Sequence, residues 1–214
     1  MTGPGLAGPW QSSDFAAPCR MAILKIARMG HPVLRRPADP VSDATAPEIR
    51  ALAADMIETM RDASGAGLAA PQVHVPLRLV VFFVPPGRAE DPDDADDAAA
   101  GLTILCNPSI EPLDGAQADG WEGCLSVPGL RGVVPRWRRI RYRGLDLNGT
   151  SVDRVASGFH ARVAQHEIDH LDGILYPQRM RDLSLLLFTE ELRHGVPEGA
   201  PPLAGPPGAG DEEE

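Results

Sequence analysis

Residues 157–173 read Ser-Gly-Phe-His-Ala-Arg-Val-Ala-Gln-His-Glu-Ile-Asp-His-Leu-Asp-Gly. Ser157 can cap a helix that runs to about Asp172, and Gly173 supplies its stop. Inside that helix, His166-Glu167-Ile168-Asp169-His170 sets two imidazoles at i and i+4, one turn apart on one face. Both can bind one metal ion while Glu167 sits beside the open coordination position.

A catalytic centre of this kind needs a third protein ligand. The position six residues after His170, where a further histidine would complete one known pattern, is Tyr176. A downstream glutamate could be Glu190 or Glu191, although turn signals intervene and the spacing is short. Cys124 is the other candidate, because Trp121-Glu122-Gly123-Cys124-Leu125-Ser126 is polar and glycine-bearing, unlike a core strand. Cys106, in an apolar run, reads as a small buried hydrophobe. His31, His74, His160 and His194 have no partner spacing and read as surface or packing residues.

Working outward, Thr45-Ala46-Pro47-Glu48 reads as a capping box, followed by Ile49, Leu52, Ala53, Met56, Ile57 and Met60 at helical spacing. The pattern predicts an amphipathic helix over 45–62, with Gly65 ending it. The runs 77–84 and 102–106 predict two buried strands paired as a hairpin around the acidic stretch between them. Residues 133–147 alternate as one long strand, and Asn148-Gly149 signals a turn into 150–156. Residues 182–193 fit helix or strand, and periodicity does not separate the two.

The chain has 214 residues, 43% of them hydrophobic and 23% charged, which suits one soluble domain plus unburied chain. The net charge of −10 argues against a surface that grips nucleic-acid phosphates throughout. Glu90, Asp91, Asp93, Asp94, Asp96 and Asp97, with Asp211, Glu212, Glu213 and Glu214, account for all of that excess. Glycine and proline, 22 each, crowd into 1–18, 85–101 and 195–210. These stretches read as a disordered leader (1–20), an acidic loop insert (86–101) and a disordered acidic tail (195–214) around a single catalytic domain at 21–194. The acids lie outside the chemical motifs, so removing 86–100 and 205–214 is expected to leave turnover nearly unchanged. No run approaches the roughly 18 apolar residues of a membrane span, and 1–20 lacks a signal core, so a cytoplasmic location of bacterial type is expected. Three widely spaced cysteines without a C-x-x-C pair speak against a disulfide scaffold.

Three segments together carry a resemblance. Gly65-Ala66-Gly67-Leu68-Ala69-Ala70-Pro71-Gln72, Glu122-Gly123-Cys124-Leu125-Ser126 and Gln165-His166-Glu167-Ile168-Asp169-His170 resemble, in order, the three signature motifs of peptide deformylases. The opening Ile23-Leu24-Lys25-Ile26-Ala27-Arg28-Met29-Gly30-His31-Pro32 is also similar, so the likeness covers about 21–190. It implies an α+β fold of mostly antiparallel sheets packed around a central helix that carries H-E-x-x-H. It implies Cys124, His166 and His170 as ligands of one divalent metal, iron (Fe²⁺) in most members, with zinc, nickel or cobalt able to take the place in purified protein. It implies removal of the formyl group from the N-terminal formyl-methionine of new polypeptides, with Glu167 as general base and acid and with Gln72 and Leu125 donating to the oxyanion. It also implies an extended peptide paired near Gly67 and Gly123. Val163 and Leu125 are expected near the methionine pocket, and Glu122 either shapes the site or makes a structural hydrogen bond to nearby backbone.

Two other classes of function compete. An H-E-x-x-H endopeptidase would use the same chemistry but leaves Gly65–Gln72 and Cys124 without a role. A peptide-binding module that keeps the fold without catalysis predicts binding without formate release. Arg131, Arg136, Arg138, Arg139, Arg141 and Arg143, with Trp137 or Tyr142 for stacking, could form a strip for transient ribosome contact. A strand with a solvated arginine face is the simpler reading. No DNA, membrane or protein partner is indicated.

Overall fold

The computed structural model describes residues 22–85, 88, 94–97 and 101–203. The leader 1–20, the acids at 90–93 and the last eleven residues of the tail lie outside the described residues. Two antiparallel sheets form, one of five strands in the order β1-β2-β3-β6-β7 and one of three in the order β4-β5-β8. Their strands are β1 (Gly67–Ala69), β2 (Leu79–Phe82), β3 (Thr103–Pro112), β4 (Gln117–Cys124), β5 (Val127–Trp137), β6 (Arg139–Leu145), β7 (Ser151–Ser157) and β8 (Leu187–Phe188). Helix α1 (Pro47–Asp62) covers one end, and α2 (Gly158–Leu171) packs on β1, β2, β3, β6 and β7 on one side and β5 on the other. No helix among the described residues is long and apolar enough to cross a membrane.

α1 buries Ile49, Ala53, Met56 and Met60, the residues its periodicity marks, beneath Leu79 and Val81 of β2. The capping box does not form. Pro47 lacks an N–H and occupies the first helical position, so Ala46 is the cap. Thr45 turns back instead, its N–H and hydroxyl both donating to Asp43 Oδ1 at 2.8 and 2.7 Å. At the far end Ser64 takes the left-handed conformation (φ 53°) and the Gly65 N–H closes on the Met60 carbonyl at 2.9 Å.

β2 and β3 pair antiparallel, Leu79 opposite Cys106 and Phe82 opposite Thr103, so the predicted hairpin is present and its second strand is longer than 102–106. Residues 133–147 are not one strand. The chain turns at Arg138 from the three-stranded sheet into the five-stranded one, and Gln165 of α2 holds the corner by accepting from the Trp137 N–H at 3.0 Å and donating to its carbonyl at 2.9 Å. Val134 and Arg136 point inward before the corner and Ile140 and Tyr142 after it, so the alternation runs through unbroken and hides the switch. The Asn148-Gly149 turn forms as read, with Asp146 Oδ1 accepting from the N–H groups of Asn148 and Thr150. Residues 182–193 are neither one helix nor one strand: two 3-10 turns flank the short β8, which pairs with β5.

Three further expectations concern the surface. Of the arginines of 131–143, Arg136 is buried, whereas Arg139, Arg141 and Arg143 stand on one face of β6, part-exposed and paired with Asp96, Asp153 and Glu111, as the simpler solvated-face reading has it. Tyr142 is fully buried, which removes it from any stacking surface, and Trp137 is partly buried against the core. The described residues 94–97 of the acidic insert are attached to the domain, since Ser157 donates to Asp94 Oδ2 at 2.6 Å and Asp96 pairs with Arg139. Past His194 the chain crosses β4, where the Trp121 indole N–H donates to the Pro201 carbonyl at 2.7 Å.

Replacing Gln165 by leucine strands both backbone groups of Trp137. Chemical denaturation should show a loss of about 1–3 kcal/mol, with the slope unchanged.

Candidate metal centre

Cys124 ends β4 at a register shift, while His166 and His170 lie one turn apart on α2. One ligand atom from each falls within 4.8 Å of the other two, and Cys124 Sγ lies 3.3 Å from His170 Nε2. The rings of His166 and His170 stand nearly perpendicular, 5.0 Å between centroids. Ligands held about 2.0–2.3 Å from one ion must crowd in this way. Glu190 and Glu191, the alternative third ligands, are exposed in the last 3-10 turn and take no part.

The orientation of His166 follows from Glu122. Its Nδ1 lies 2.8 Å from Glu122 Oε2, a carboxylate that can only accept, so Nδ1 carries the proton and Nε2 offers its lone pair to the centre. Glu122 in turn takes Arg136 Nε at 2.8 Å, Arg136 Nη2 at 3.0 Å and Arg162 Nη1 at 3.0 Å. Burial alone would raise its pKa, but the Arg136 charge and hydrogen bonds outweigh it and hold the carboxyl well below the usual range. Arg136 reaches on to Asp169, which also accepts two bonds from Arg179. Arg162 spends its remaining reach on the carbonyls of Val134 and Ala118, each at 2.8 Å. Gly120 leaves room for it: a Cβ there would lie 2.6 Å from Arg162 Nη2.

The donor set fits a cation. Burial opposes charge on His166, yet Cys124 and Glu122 together hold its imidazolium well above the ordinary range. The same surroundings keep His170 well below it, through burial and then the charges of His166 and Arg136. A sulfur and two nitrogens converging on one point form a donor set that a divalent ion would suit. The buried Glu167 is pushed up to about 7 by desolvation, and its Oε2 has no hydrogen-bond partner among the described residues. Its carboxylate lies against the backbone of Gly67, where a Cβ would collide with Oε1.

Gln72 is fixed in orientation. Its Oε1 accepts from the Ala69 N–H at 2.8 Å, so Nε2 faces Ser126 Oγ at 3.2 Å and Cys124 Sγ at 3.5 Å. The N-terminal segment ties this loop to the cysteine turn, with Ala27 N–H on the Gln72 carbonyl and Met29 N–H on that of Ser126, both 2.7 Å. Gly67, Gln72, Glu122, Gly123, Leu125, Val163 and Glu167 all line one cavity of about 770 Å³ with Cys124 and His166. His170 seats behind it. The sequence reading missed Arg136, Arg162 and Asp169. Arg136 shares strand parity with buried Val134, and Arg162 stands four residues before His166, so periodicity alone could have placed both inward. Cys106 is the buried hydrophobe expected, its thiol pushed up to about 11 by burial and by Asp146. Cys19 lies outside the described residues.

Residues 23–185 match the family model for polypeptide deformylase. Peptide deformylase 2 of Bordetella bronchiseptica is 57% identical over 170 residues, 79% of this chain and 94% of that protein. Peptide deformylase 2 of Ralstonia nicotianae is 53% identical over 175 residues, 82% and 97% of the two chains. Among solved structures, the Met-Ala-Ser complex of a class I type b peptide deformylase from Acinetobacter baumannii matches with a TM-score of 0.68 at 36% identity, over 75% of this chain and all of that one. That of Ehrlichia chaffeensis peptide deformylase matches with 0.70 at 35% identity, over 76% and 90%.

Glu122→Gln keeps the shape of the side chain but removes the charge that orients His166. Competition with a chelator should show metal affinity reduced about 10–100-fold, while Cys106→Ala leaves it unchanged.

Proposed function

This chain belongs to the polypeptide deformylase family, hydrolases that remove the formyl group from the N-terminal methionine of polypeptides, and from that premise we propose how its own residues divide the work. The observation that carries the reading is the meeting of Cys124, His166, His170 and Glu167 in a cleft between two edge strands. Among the described residues β1 pairs only with β2, and β4 only with β5, so Gly67 and Gly123 line the cavity from edge strands. An extended peptide fits between them as an added strand, its main chain bonded on both sides regardless of sequence. Val163 and Leu125 line the same cavity and give the methionine side chain an apolar seat.

Cys124, His166 and His170 hold the divalent ion, Fe²⁺ in our reading, which supplies Lewis acidity to the centre when bound. Glu167 takes a proton from the attacking water, which adds to the formyl carbon. Gln72 Nε2 and the Leu125 N–H donate to the oxygen as it becomes an anion. Glu167 then passes its proton to the departing nitrogen, the C–N bond breaks, and formate leaves a free amine. Burial suits Glu167 to this double duty, because a carboxyl poised near neutrality both accepts and returns a proton at modest cost.

Glu167→Gln should retain one metal per chain and fold normally, with kcat lowered about 10²–10⁴-fold; activity near wild type would remove Glu167 from the proton-transfer role. Oxygen-protected, metal-loaded protein should release formate from a formyl-Met tripeptide and leave the unformylated peptide intact. Cleavage of the latter would favour an endopeptidase, and binding without formate a non-catalytic module.

A further inference from the structure

Helix α2 does not cap itself. Ser157 occupies the N-cap, but its side chain makes no capping bond and donates instead to Asp94 of the acidic segment. The first-turn donors are met from elsewhere in the fold: the Gly158 N–H by the Arg138 carbonyl at 3.1 Å and the His160 N–H by Asp97 Oδ1 at 3.4 Å. Asp97 is 1% exposed, and its carboxylate fills the space where a side chain on residue 158 would sit. Gly158 adopts φ +49°, so glycine is required there on two counts. A buried carboxyl group at the start of a helix lies where first-turn N–H donors point.

The neighbouring contacts make the docking directional. The Ser157 N–H donates to the Asp96 carbonyl at 3.2 Å. His160 Nδ1 lies 3.1 Å from the same carbonyl, which only accepts, so Nδ1 bears the hydrogen and Nε2 accepts from the Tyr142 hydroxyl at 3.2 Å. Burial holds His160 down to about 4, so this neutral tautomer persists at neutral pH. On the cleft side, the Arg88 guanidinium lies 4.6 Å from the centre of the Phe159 ring, and both residues line the cavity.

We propose that Asp97 is a positioning residue for the hydrolytic centre: the turn at 94–97 caps α2 and thereby sets the depth at which His166, Glu167 and His170 meet Cys124. Glu167 lies nine residues beyond Gly158, about 13 Å along a rigid buried helix, so an axial slip at the cap reaches the site undiminished. Catalytic groups tolerate only about 0.5 Å of such displacement. The inference rests on the deformylase reading above. If wild-type protein releases no formate, that reading fails. If wild-type protein is active and the variants below match it, only the inference fails.

The test uses the full chain loaded with cobalt, comparing wild type, Asp97→Ala and Asp97→Asn by amide hydrogen exchange, the visible absorption of the bound cobalt, and kinetics on a formyl-Met tripeptide. Asp97→Ala should speed exchange at 158–161 by about tenfold. It should also shift the cobalt band and lower kcat per bound metal about tenfold with KM within about threefold. Asp97→Asn, which keeps an acceptor oxygen, should fall between it and wild type. A residue that merely stabilised the fold would lower the melting temperature and leave the cobalt band and kcat per metal unmoved, and that result overturns the proposal. Should Asp97→Ala not fold, Asp97→Asn decides, since wild-type exchange at 158–161 and an unshifted band in that variant overturn it equally.

Discussion

A single buried carboxylate, Glu122, joins the parts on which the centre depends. It accepts from Arg136 of β5, from Arg162 of α2 and from His166, so one residue of β4 is bonded to the sheet beside it, to the helix above it and to a metal ligand. Stability does not explain such an arrangement. Buried ion pairs exchanged for apolar residues of equal volume are often neutral or better, whereas loss of one partner costs about 3–5 kcal/mol. What an apolar core cannot do is aim an imidazole. The two guanidiniums keep Glu122 ionised, the ionised carboxylate fixes the proton on Nδ1, and Nε2 is thereby left free to serve as a ligand in the proposed centre.

The same logic places the glycines. Gly67 is bare because the Glu167 carboxylate rests against its backbone, and Gly120 is bare because the Arg162 guanidinium does. Each allows a charged side chain of α2 to touch an edge strand without leaving the helix. The outcome is a cleft whose two walls are edge strands and whose floor carries the chemistry. In the proposed binding mode a substrate held by its main chain would be presented the same way whatever its sequence, with the side-chain reading left to the apolar lining near Val163.

Patterns that live within one element are legible from the amino acids. The i, i+4 histidines, the apolar stripe of α1, the hairpin about the insert and the Asn148-Gly149 turn are all local, and all are present. Cys124 was open to reading only through its unusual neighbours, because it reaches the two histidines from a strand far away in sequence. The corner at Arg138 escapes because parity is conserved through it, Val134 and Arg136 before and Ile140 and Tyr142 after. Arg136 was grouped with its neighbours by charge, although strand alternation sets it with Val134. The capping box at Thr45 fails for a local reason, since a proline two residues on claims the first helical position.

Net charge is the property least able to place a residue. The excess of ten acids suggested appendages outside the chemical motifs, yet the described part of the insert is bonded to the domain at the start of α2. Asp94 takes the Ser157 hydroxyl, Asp96 pairs with Arg139, and Asp97 lies buried against Gly158. A sum over the chain treats these three as interchangeable with every other acid in it. Hydrogen bonding does not, because a helix start presents N–H donors to one spot and a carboxylate that reaches it is fixed there. Acidity in a loop therefore indicates solvation only where no helix N-terminus lies within reach, and here the helix within reach is the one that carries His166, Glu167 and His170.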